Sequence, residues 1–335
     1  MNLNRRGFSA HNTENKSISI EYCPVQYVWS FICALLLAII LYIIYTFIVK
    51  IKIFLTAKNF AYDFYDSLCK NMQKYAMKKL KKILLFDLDG TLLRNDKTLS
   101  QFTFEVVSKC KERGCLIGIS TSRSKQNCLK FLKELKPNIL ISSGGALVQI
   151  NGKIICKSSF SVLETKSFIE TARSICGEEC EITVDTVDAH YWNYKINPKE
   201  QNKTWGDSIY TDFTDFNHEA LKICVEIPNP NRAQKLCDHF SELDSQRFSD
   251  GDWYKFTKSG ITKEKAILAV CEECDIDVSE IVAFGDDYAD IGMLKLCGIG
   301  VAMGNAIQEV KDIADAVTLS NEEDGVAAYL EKWII

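Results

Sequence analysis

The sequence is poor in histidine, and it contains neither an internal repeat nor a low-complexity tract. The four histidines are His11, His190, His218 and His239, and none is paired with a cysteine at the spacing of a zinc finger. The 14 cysteines are irregularly spaced, which indicates free thiols in a reducing compartment instead of a disulfide framework. The local cysteine pairs at 176/180 and 271/274 are interpreted as packing residues, with half of a zinc site as the alternative.

Basic charge is scarce in most of the chain. Residues 1–82 carry 12 Lys and Arg against 4 Asp and Glu, a net charge of +8. Residues 83–335 carry 28 against 40, a net charge of −12. An acidic body argues against a nucleic-acid partner, because binding to phosphates needs clustered Lys and Arg. With 335 residues and 47% apolar content, the chain is long enough for one or two packed domains.

Charge, proline and glycine are all absent from residues 27–49. A bilayer core is spanned by about 20 apolar residues in a helix, so this stretch predicts one transmembrane helix after an N-terminal tail at 1–26. Lysines are more frequent on its C-terminal side, which predicts a single-pass membrane anchor with the C-terminal body in the cytoplasm. The membrane, contacted through 27–49, is thus an expected partner; the oligomeric state is left open.

Residues 50–81 also lack proline and glycine and carry apolar side chains at helical spacing. They predict a basic juxtamembrane helix, with lysines concentrated at 70–82. Two interpretations remain open: a helix lying partly in the membrane interface against anionic headgroups, and a solvated stalk.

From residue 82 onward, short apolar runs alternate with helical patterns. Predicted strands lie at 83–86, 116–120, 139–141, 281–284 and 300–303, and predicted helices at 99–113, 124–135, 264–273 and 290–297. Wholly apolar strands that alternate with helices are typical of a parallel sheet covered on both faces. The fold class is therefore α/β, with a doubly wound parallel-sheet core at 82–162 and 250–335.

Residues 163–249 are more polar and richer in aromatics than the flanking segments. They carry predicted strands at 182–187, 191–196 and 221–227 and a helix after Pro230. We interpret them as a smaller α/β domain inserted into the core. Its stretch 188–195 is rich in aromatics, and alternation along a strand would bury about half of these side chains in the inserted domain.

Acids and hydroxyls follow three of the core strands. Asp87 and Asp89 follow the first strand, Thr121 and Ser122 the second, and Asp286 and Asp290 a third. In open parallel sheets these carboxyl ends meet at one edge, where ligands bind. Grouped carboxylates repel one another unless a cation lies among them, and oxygen ligands of this kind suit Mg²⁺ with a phosphate substrate. Lys263, at the head of a helix, supplies a positive charge for that phosphate.

Four motifs carry a resemblance to the haloacid dehalogenase superfamily. "FDLDGTLL", "ISTSR", "SGITKEKA" and "GDDYADIGML" occur in the superfamily's order, with 34, 142 and 23 residues between their key positions. "ISSGGALV" and "GVAMGNA" resemble its Cof-type phosphatase branch more narrowly. The likeness covers residues 82–335 and implies a Rossmann-like core with a large α/β cap at 163–249. The cap would close over the site and exclude water.

The resemblance implies a role for each residue of the motifs. Asp87 is the nucleophile that forms an aspartyl-phosphate, and Asp89 is the general acid and base. Thr121, Ser122 and Lys263 bind the phosphoryl group. Mg²⁺ is held by the Asp87 side chain and the Asp89 backbone carbonyl, with Asp286 and, through the water shell, Asp290. As an acid, Asp89 must carry a proton, so we expect nearby carboxylates to raise its pKa.

The resemblance is incomplete at three places. Ala289 stands where the superfamily often has asparagine, Gly144 where "NGA" is common, and Ser122 where the second motif often has glycine. None of these differences removes a predicted catalytic acid or the lysine. The function predicted first is a Mg²⁺-dependent phosphatase of small phosphorylated metabolites. The alternatives are a phosphomutase on the same scaffold and a membrane-tethered sensor without turnover.

Overall fold

The computed structural model describes Leu36 and residues 83–333, except 133–134, 198–199, 201–205 and 249–250. The predicted tail at 1–26 and stalk at 50–81 lie outside the described residues, as does the predicted span at 27–49 apart from Leu36. None of the helices described is long and apolar enough to cross a membrane. The anchor and its orientation therefore stay predictions from the sequence.

The first half of the core alternates strands and helices, as predicted. Its elements are β1 (Ile83–Phe86), α1 (Gln101–Glu112), β2 (Leu116–Ser120), α2 (Lys125–Leu132), β3 (Ile139–Ser142), β4 (Leu147–Ile150) and β5 (Lys153–Lys157). All four side chains of β1 are buried, in agreement with its unbroken apolar run. Helix α1 begins at Gln101, two residues after the predicted start at 99, because the Ser100 hydroxyl caps it by accepting a hydrogen bond from the Thr103 amide at 3.0 Å.

The hairpin β4–β5 was not predicted. Its turn, Asn151-Gly152, has φ values of +49° and +83°. Positive φ at both central residues is the type I′ geometry that matches the twist of a two-stranded hairpin, and Asn-Gly is its preferred sequence. The hairpin adds two antiparallel strands beside β3.

The inserted cap has its own sheet. Its elements are α3 (Val162–Cys176), β6 (Ile182–Asp185), β7 (His190–Trp192), β8 (Ile209–Tyr210), β9 (Lys222–Glu226), α4 (Pro230–His239), β10 (Leu243–Arg247) and β11 (Trp253–Lys258). Within the described residues the strand order is β10-β11-β9-β6-β7-β8. Strand β11 falls in the segment 250–335 predicted as core, yet it pairs with β9. By sheet membership the cap therefore extends to Lys258, beyond the predicted boundary at 250.

The two faces of the cap sheet have different surroundings. Tyr191, Tyr254 and Phe256 pack against the apolar cluster beneath α3 and α4. Because side chains alternate along a strand, Trp192 and Lys255 lie on the opposite face. The predicted alternation within the aromatic stretch is thus present, with Tyr191 facing one side and Trp192 the other.

The second half of the core contains α5 (Lys263–Cys274), β12 (Ile281–Gly285), α6 (Ile291–Leu296), β13 (Ile299–Ala302), α7 (Gln308–Ile313), β14 (Ala316–Val317) and α8 (Gly325–Trp333). The eight core strands described have the order β14-β13-β12-β1-β2-β3-β4-β5. From β14 through β3 every pairing is parallel. The predicted doubly wound parallel core with an inserted α/β cap is confirmed.

The direction in which successive strands are added to the sheet reverses at β1. From there the chain adds β2 and β3 on one side, and after the cap it adds β12 and then β13 and β14 on the other. Such a switch point opens a crevice at the carboxyl ends of the two central strands. Phe86 lies opposite Phe284, with ring centroids 5.2 Å apart, and both rings are fully buried. This register brings the residues that follow β1 and β12 to the same place.

Candidate active site

Three carboxylates meet at the switch point. Asp87 follows β1, Asp286 follows β12, and Asp290 ends the short 3-10 turn after it. Each contributes one oxygen to a group in which all three oxygens lie within 4.8 Å of one another. Asp290 is held in place because its Oδ2 accepts hydrogen bonds from the backbone amides of Asp286 and Asp287, at 3.0 and 3.2 Å. The sequence predicted this grouping from the strand ends.

Lys263 joins this group from the first turn of α5. Its Nζ donates to Asp87 Oδ1 at 2.7 Å, to Asp290 Oδ1 at 2.7 Å and to the Ser120 carbonyl oxygen at 2.8 Å. The side chain is only 4% exposed. Burial alone would lower the pKa of Lys263, but the carboxylates of Asp290 and Asp87 raise it above the ordinary value. The lysine is therefore a fully protonated buried cation with all three of its protons engaged.

One cation does not balance three acids, of which Asp87 and Asp290 are buried and Asp286 is partly buried. Burial and the charge of Asp290 raise the pKa of Asp87 well above its usual range, although Lys263 opposes the shift. Burial and Asp290 also raise the pKa of Asp286 to about 7, while a hydrogen bond from Thr91 opposes the rise. With all three acids ionised the site would carry excess negative charge, which a bound cation would relieve.

The loop after β1 is shaped around these acids. Thr91 Oγ1 donates to Asp286 Oδ1 at 2.8 Å. Gly90 has φ of +75°, and a Cβ there would collide with Asp286 Oδ2, so this position requires glycine. Asn305, from the "GVAMGNA" motif, donates to the Gly90 carbonyl oxygen at 2.8 Å. Three closely spaced carboxylate oxygens on a supported loop form a donor set that suits Mg²⁺.

Asp89 lies apart from this cluster. Its Oδ2 is 2.5 Å from Arg123 Nε, and its Oδ1 accepts from Arg123 Nη2 at 2.7 Å and from Lys97 Nζ at 2.8 Å. Burial favours a higher pKa for Asp89, but Arg123 and then Lys97 prevail and lower it. The prediction that the pKa of Asp89 is raised is therefore wrong for this arrangement. Two cations, instead of the neighbouring carboxylates, surround its side chain.

The predicted phosphate-binding residues follow β2. Thr121 is 1% exposed, and its Oγ1 accepts a hydrogen bond from the Arg123 amide at 3.1 Å, which leaves its hydroxyl proton available. Ser122 is partly exposed, and its carbonyl oxygen accepts from Lys222 Nζ at 2.6 Å. Both belong to the same loop at the carboxyl edge of the sheet, next to the strand end from which Ser120 contacts Lys263.

The cap meets the core at this loop. Buried Asp185 accepts from Ser143 Oγ of the core at 2.8 Å and pairs with Lys222 at 3.0 Å and with His190 at 2.7 Å. Lys222 is the residue that reaches the Ser122 carbonyl oxygen. The cap sheet is thus bonded to the core over the ends of β2 and β3, beside the carboxylate cluster.

Sequence reasoning assigned no role to several of these residues. Arg123 was visible as the last residue of the "ISTSR" motif, but its ion pair with Asp89 spans 34 positions. Lys97 lies outside the four motifs, and the residues around it in the sequence do not indicate a functional role. Asp185 and Lys222 belong to different cap strands and become neighbours only through the pairing of β6 with β9.

The family model for haloacid dehalogenase-like hydrolases matches residues 84–330. The chain belongs to this family. The match spans both segments of the core and the whole cap, and it ends within α8. It agrees with the resemblance found in the motifs and does not extend to the predicted anchor or stalk.

The chain is similar to two phosphatases from Bacillus subtilis (strain 168). Both are named 5-amino-6-(5-phospho-D-ribitylamino)uracil phosphatase. The first, YcsE, is 30% identical over 257 residues, which are 76% of this chain and 96% of YcsE. The second, YitU, is 29% identical over 266 residues, which are 75% of this chain and 97% of YitU.

Solved structures of haloacid dehalogenase-like hydrolases show the same architecture. A phosphatase of the haloalkanoate superfamily from Bacteroides thetaiotaomicron is 26% identical, with a TM-score of 0.63. The match covers 75% of this chain and 94% of that one. Together with the curated relatives, this similarity identifies the chain as a phosphatase of the family.

Proposed function

We propose that the chain hydrolyses small phosphorylated metabolites through an aspartyl-phosphate intermediate on Asp87, with Mg²⁺ bound at the carboxylate cluster. The observation that supports this most is the position of Lys263. Its ammonium contacts Asp87 and Asp290 at once, beside an Asp286 oxygen. Nucleophile, cation and metal-type ligands therefore share one edge of the sheet. The phosphorylated ribityl compound in the names of YcsE and YitU suggests sugar-like phosphomonoesters as substrates.

The first step transfers the phosphoryl group to the protein. A carboxylate oxygen of Asp87 bonds to phosphorus, the ester P–O bond breaks, and the departing oxygen takes a proton from Asp89. In the second step water attacks phosphorus, the bond to the Asp87 oxygen breaks, and Asp89 accepts the proton of that water. Lys263 and the Thr121 hydroxyl contribute positive charge and a hydrogen bond to the phosphoryl oxygens.

Asp87, Asp286 and the Asp89 backbone carbonyl would hold Mg²⁺, with Asp290 supporting from the water shell. When bound, the ion offsets the excess charge of the acids and of the phosphate and so favours the attack of one anion on another. The raised pKa values of Asp87 and Asp286 support this assignment, because they show carboxylates that need a further positive charge to stay ionised together.

The role of Asp89 requires a change of partner. In the arrangement described, Arg123 and Lys97 keep its carboxylate ionised, and an ionised carboxylate cannot protonate a leaving group. The same cations also attract a phosphate dianion. The proposal therefore requires Asp89 to exchange its ion pairs for a contact with the substrate, which raises its pKa and lets it take up a proton.

A phosphomonoester panel tests the proposal. With Mg²⁺, the full-length protein is expected to release free phosphate from at least one sugar or sugar-alcohol phosphate; 5-amino-6-(5-phospho-D-ribitylamino)uracil belongs on the panel. Chelation with EDTA should remove the activity and added Mg²⁺ should restore it, since the acids repel the substrate without the ion. An isomerised substrate without phosphate release would favour the phosphomutase alternative. Unchanged turnover in EDTA would contradict the metal assignment.

A further inference from the structure

Lys255 carries a positive charge that has no direct partner in the described part of the chain. Within residues 83–333 as described, its Nζ takes part in no hydrogen bond or ion pair. The residue is mostly buried and lies on the cap-sheet face opposite the apolar cluster, across from Cys224. Buried charges are normally paired, so an unpaired ammonium between two domains calls for a partner.

The position of Lys255 places that partner in the substrate crevice. Its Nζ lies 3.4 Å from where a Cβ would stand on Gly144. The Gly144 amide donates to the Thr121 carbonyl oxygen at 3.1 Å, and the next residue, Gly145, packs closely against the carbonyl of Thr262, just before Lys263. The ammonium therefore lies over a loop that contacts both Thr121 and the start of α5 at Lys263, the two residues expected to bind the phosphoryl group.

Other charged groups near Lys255 are already engaged. Lys222 pairs with Asp185, and Lys263 pairs with the acids of the cluster. Asp244, which acts on Lys255 from β10, accepts a hydrogen bond from the Gly260 amide at 2.6 Å. Burial keeps the pKa of the Cys224 thiol above its ordinary value, so this thiol supplies no negative charge at neutral pH.

These surroundings make the charge on Lys255 costly. Burial, followed by Lys222, lowers the pKa of Lys255 to about 8, and Lys263 adds to the effect. An anion that reaches the ammonium would therefore stabilise it, because burial and the two neighbouring lysines outweigh the effects of Cys224 and Asp244 that oppose them. At neutral pH it is still mostly protonated and so competent to bind one.

We propose that Lys255 determines substrate specificity by binding a second negatively charged group, a carboxylate or a further phosphate, on the leaving-group side of the substrate. The transferring phosphoryl group is bound by the core, whereas Lys255 approaches from the cap, which faces the part of the substrate that departs. The inference rests on the proposed phosphatase function, since it assumes a phosphomonoester in the crevice.

Two matched pairs of compounds test this assignment. 3-Phosphoglycerate and glycerol 3-phosphate differ by one carboxylate, and fructose 1,6-bisphosphate and fructose 6-phosphate differ by one phosphate. Full-length Asp87→Asn protein with Mg²⁺ allows Kd to be measured by calorimetry without turnover. At least one anionic member should bind roughly 10- to 100-fold more tightly than its partner, as one charge-assisted hydrogen bond implies. Adding Lys255→Met to this protein should remove the difference in Kd within that pair. The Kd of the less anionic compound should change by no more than about 3-fold.

Lys235→Met is the matched control, because it removes an exposed lysine from α4, on the opposite side of the cap sheet. It should keep the advantage of the anionic member. Lys255→Met should also melt at or above the wild-type temperature, since it removes an unpaired charge. If Lys255→Met instead lowers the melting temperature and weakens the binding of both members of a pair equally, Lys255 has a structural role and the inference is overturned.

Two further outcomes also overturn it: anionic members that bind no better than their partners, or not at all, and an advantage that survives Lys255→Met. Failure of the phosphatase proposal has a different signature. In that case the wild-type protein releases no phosphate from any of the four compounds, while the Lys255-dependent difference in Kd is still measured.

Discussion

Replacing Asp87 by asparagine is expected to lower kcat by roughly 10⁴-fold or more, the scale on which loss of a covalent nucleophile acts. An amide oxygen is too weak a nucleophile to attack a phosphate ester. The fold should tolerate the change, because the amide oxygen still accepts a hydrogen bond from Lys263, which keeps Asp290 and the Ser120 carbonyl as partners. The measurement is steady-state phosphate release together with thermal melting.

The matched control for this variant is Asp287→Asn. Asp287 precedes the same 3-10 turn and caps it through the Tyr288 amide, but its carboxylate is not part of the three-oxygen group. The Asp287→Asn change should lower kcat by less than about 10-fold, because it removes no reacting group. Comparable losses in the two variants, or an Asp87→Asn protein that retains substantial activity, would rule out Asp87 as the nucleophile.

Lys263→Met is expected to affect both activity and stability. We expect kcat/KM to fall by about 10³-fold, since a single positive donor to the developing phosphoryl charge is lost. The free energy of unfolding should fall by about 3–5 kcal/mol at neutral pH, because two buried carboxylates lose their common partner. Kinetics and denaturant unfolding of the full-length protein measure the two effects.

The loss of stability in Lys263→Met should depend on pH in a defined direction. The folded-state pKa of Asp87 is already raised, and removing the lysine raises it further. A folded state that binds protons more tightly than the unfolded chain loses stability as pH rises. The variant should therefore be less destabilised at pH 5 than at pH 8. Lys265→Met, an exposed position on the same helix, is the control and should match wild type. A Lys263→Met protein with wild-type stability at pH 8 would show that the cluster is not charge-coupled.

Much of the core could be predicted because its strands are apolar throughout. The run at Ile83–Phe86 is buried on both faces of the sheet. Its length and its position before Asp87 and Asp89 could therefore be predicted from the unbroken apolar pattern in the sequence. Parallel strands then bring their carboxyl ends together, which is why the grouping of Asp87 with Asp286 could be predicted from strands nearly 200 residues apart.

The cap was harder to predict because its edge strands are half exposed. Strand β10 has the sequence Leu-Asp-Ser-Gln-Arg, and its side chains are all partly or fully exposed. Its pairing with β11 depends on tertiary contacts instead of hydrophobic pattern. Hairpin β4–β5 is a different case, since Asn151-Gly152 is a strong local signal for a hairpin turn that can be recognised in the sequence alone.

Electrostatics of the site could be predicted only where the partners lie in the motifs. The carboxylate cluster and Lys263 were predicted together. The state of Asp89 was not, because it depends on Lys97 and Arg123, which the loops bring to it at 2.8 and 2.5 Å. Lys255 could not be recognised either, since it lacks a direct partner because the neighbouring Lys222 and Lys263 pair with acids from other parts of the chain.

In the proposed reaction Asp87 carries the phosphoryl group. This can be tested by mixing full-length Asp89→Asn protein with Mg²⁺ and p-nitrophenyl phosphate. The reaction is quenched in acid, and the mass of the peptide that contains Asp87 is determined by mass spectrometry. Nitrophenolate departs without a proton, while hydrolysis of the intermediate still needs Asp89 as base. The account predicts a burst of about one nitrophenolate per site and one phosphoryl group on Asp87. Nitrophenolate release with an unmodified Asp87 peptide would contradict it.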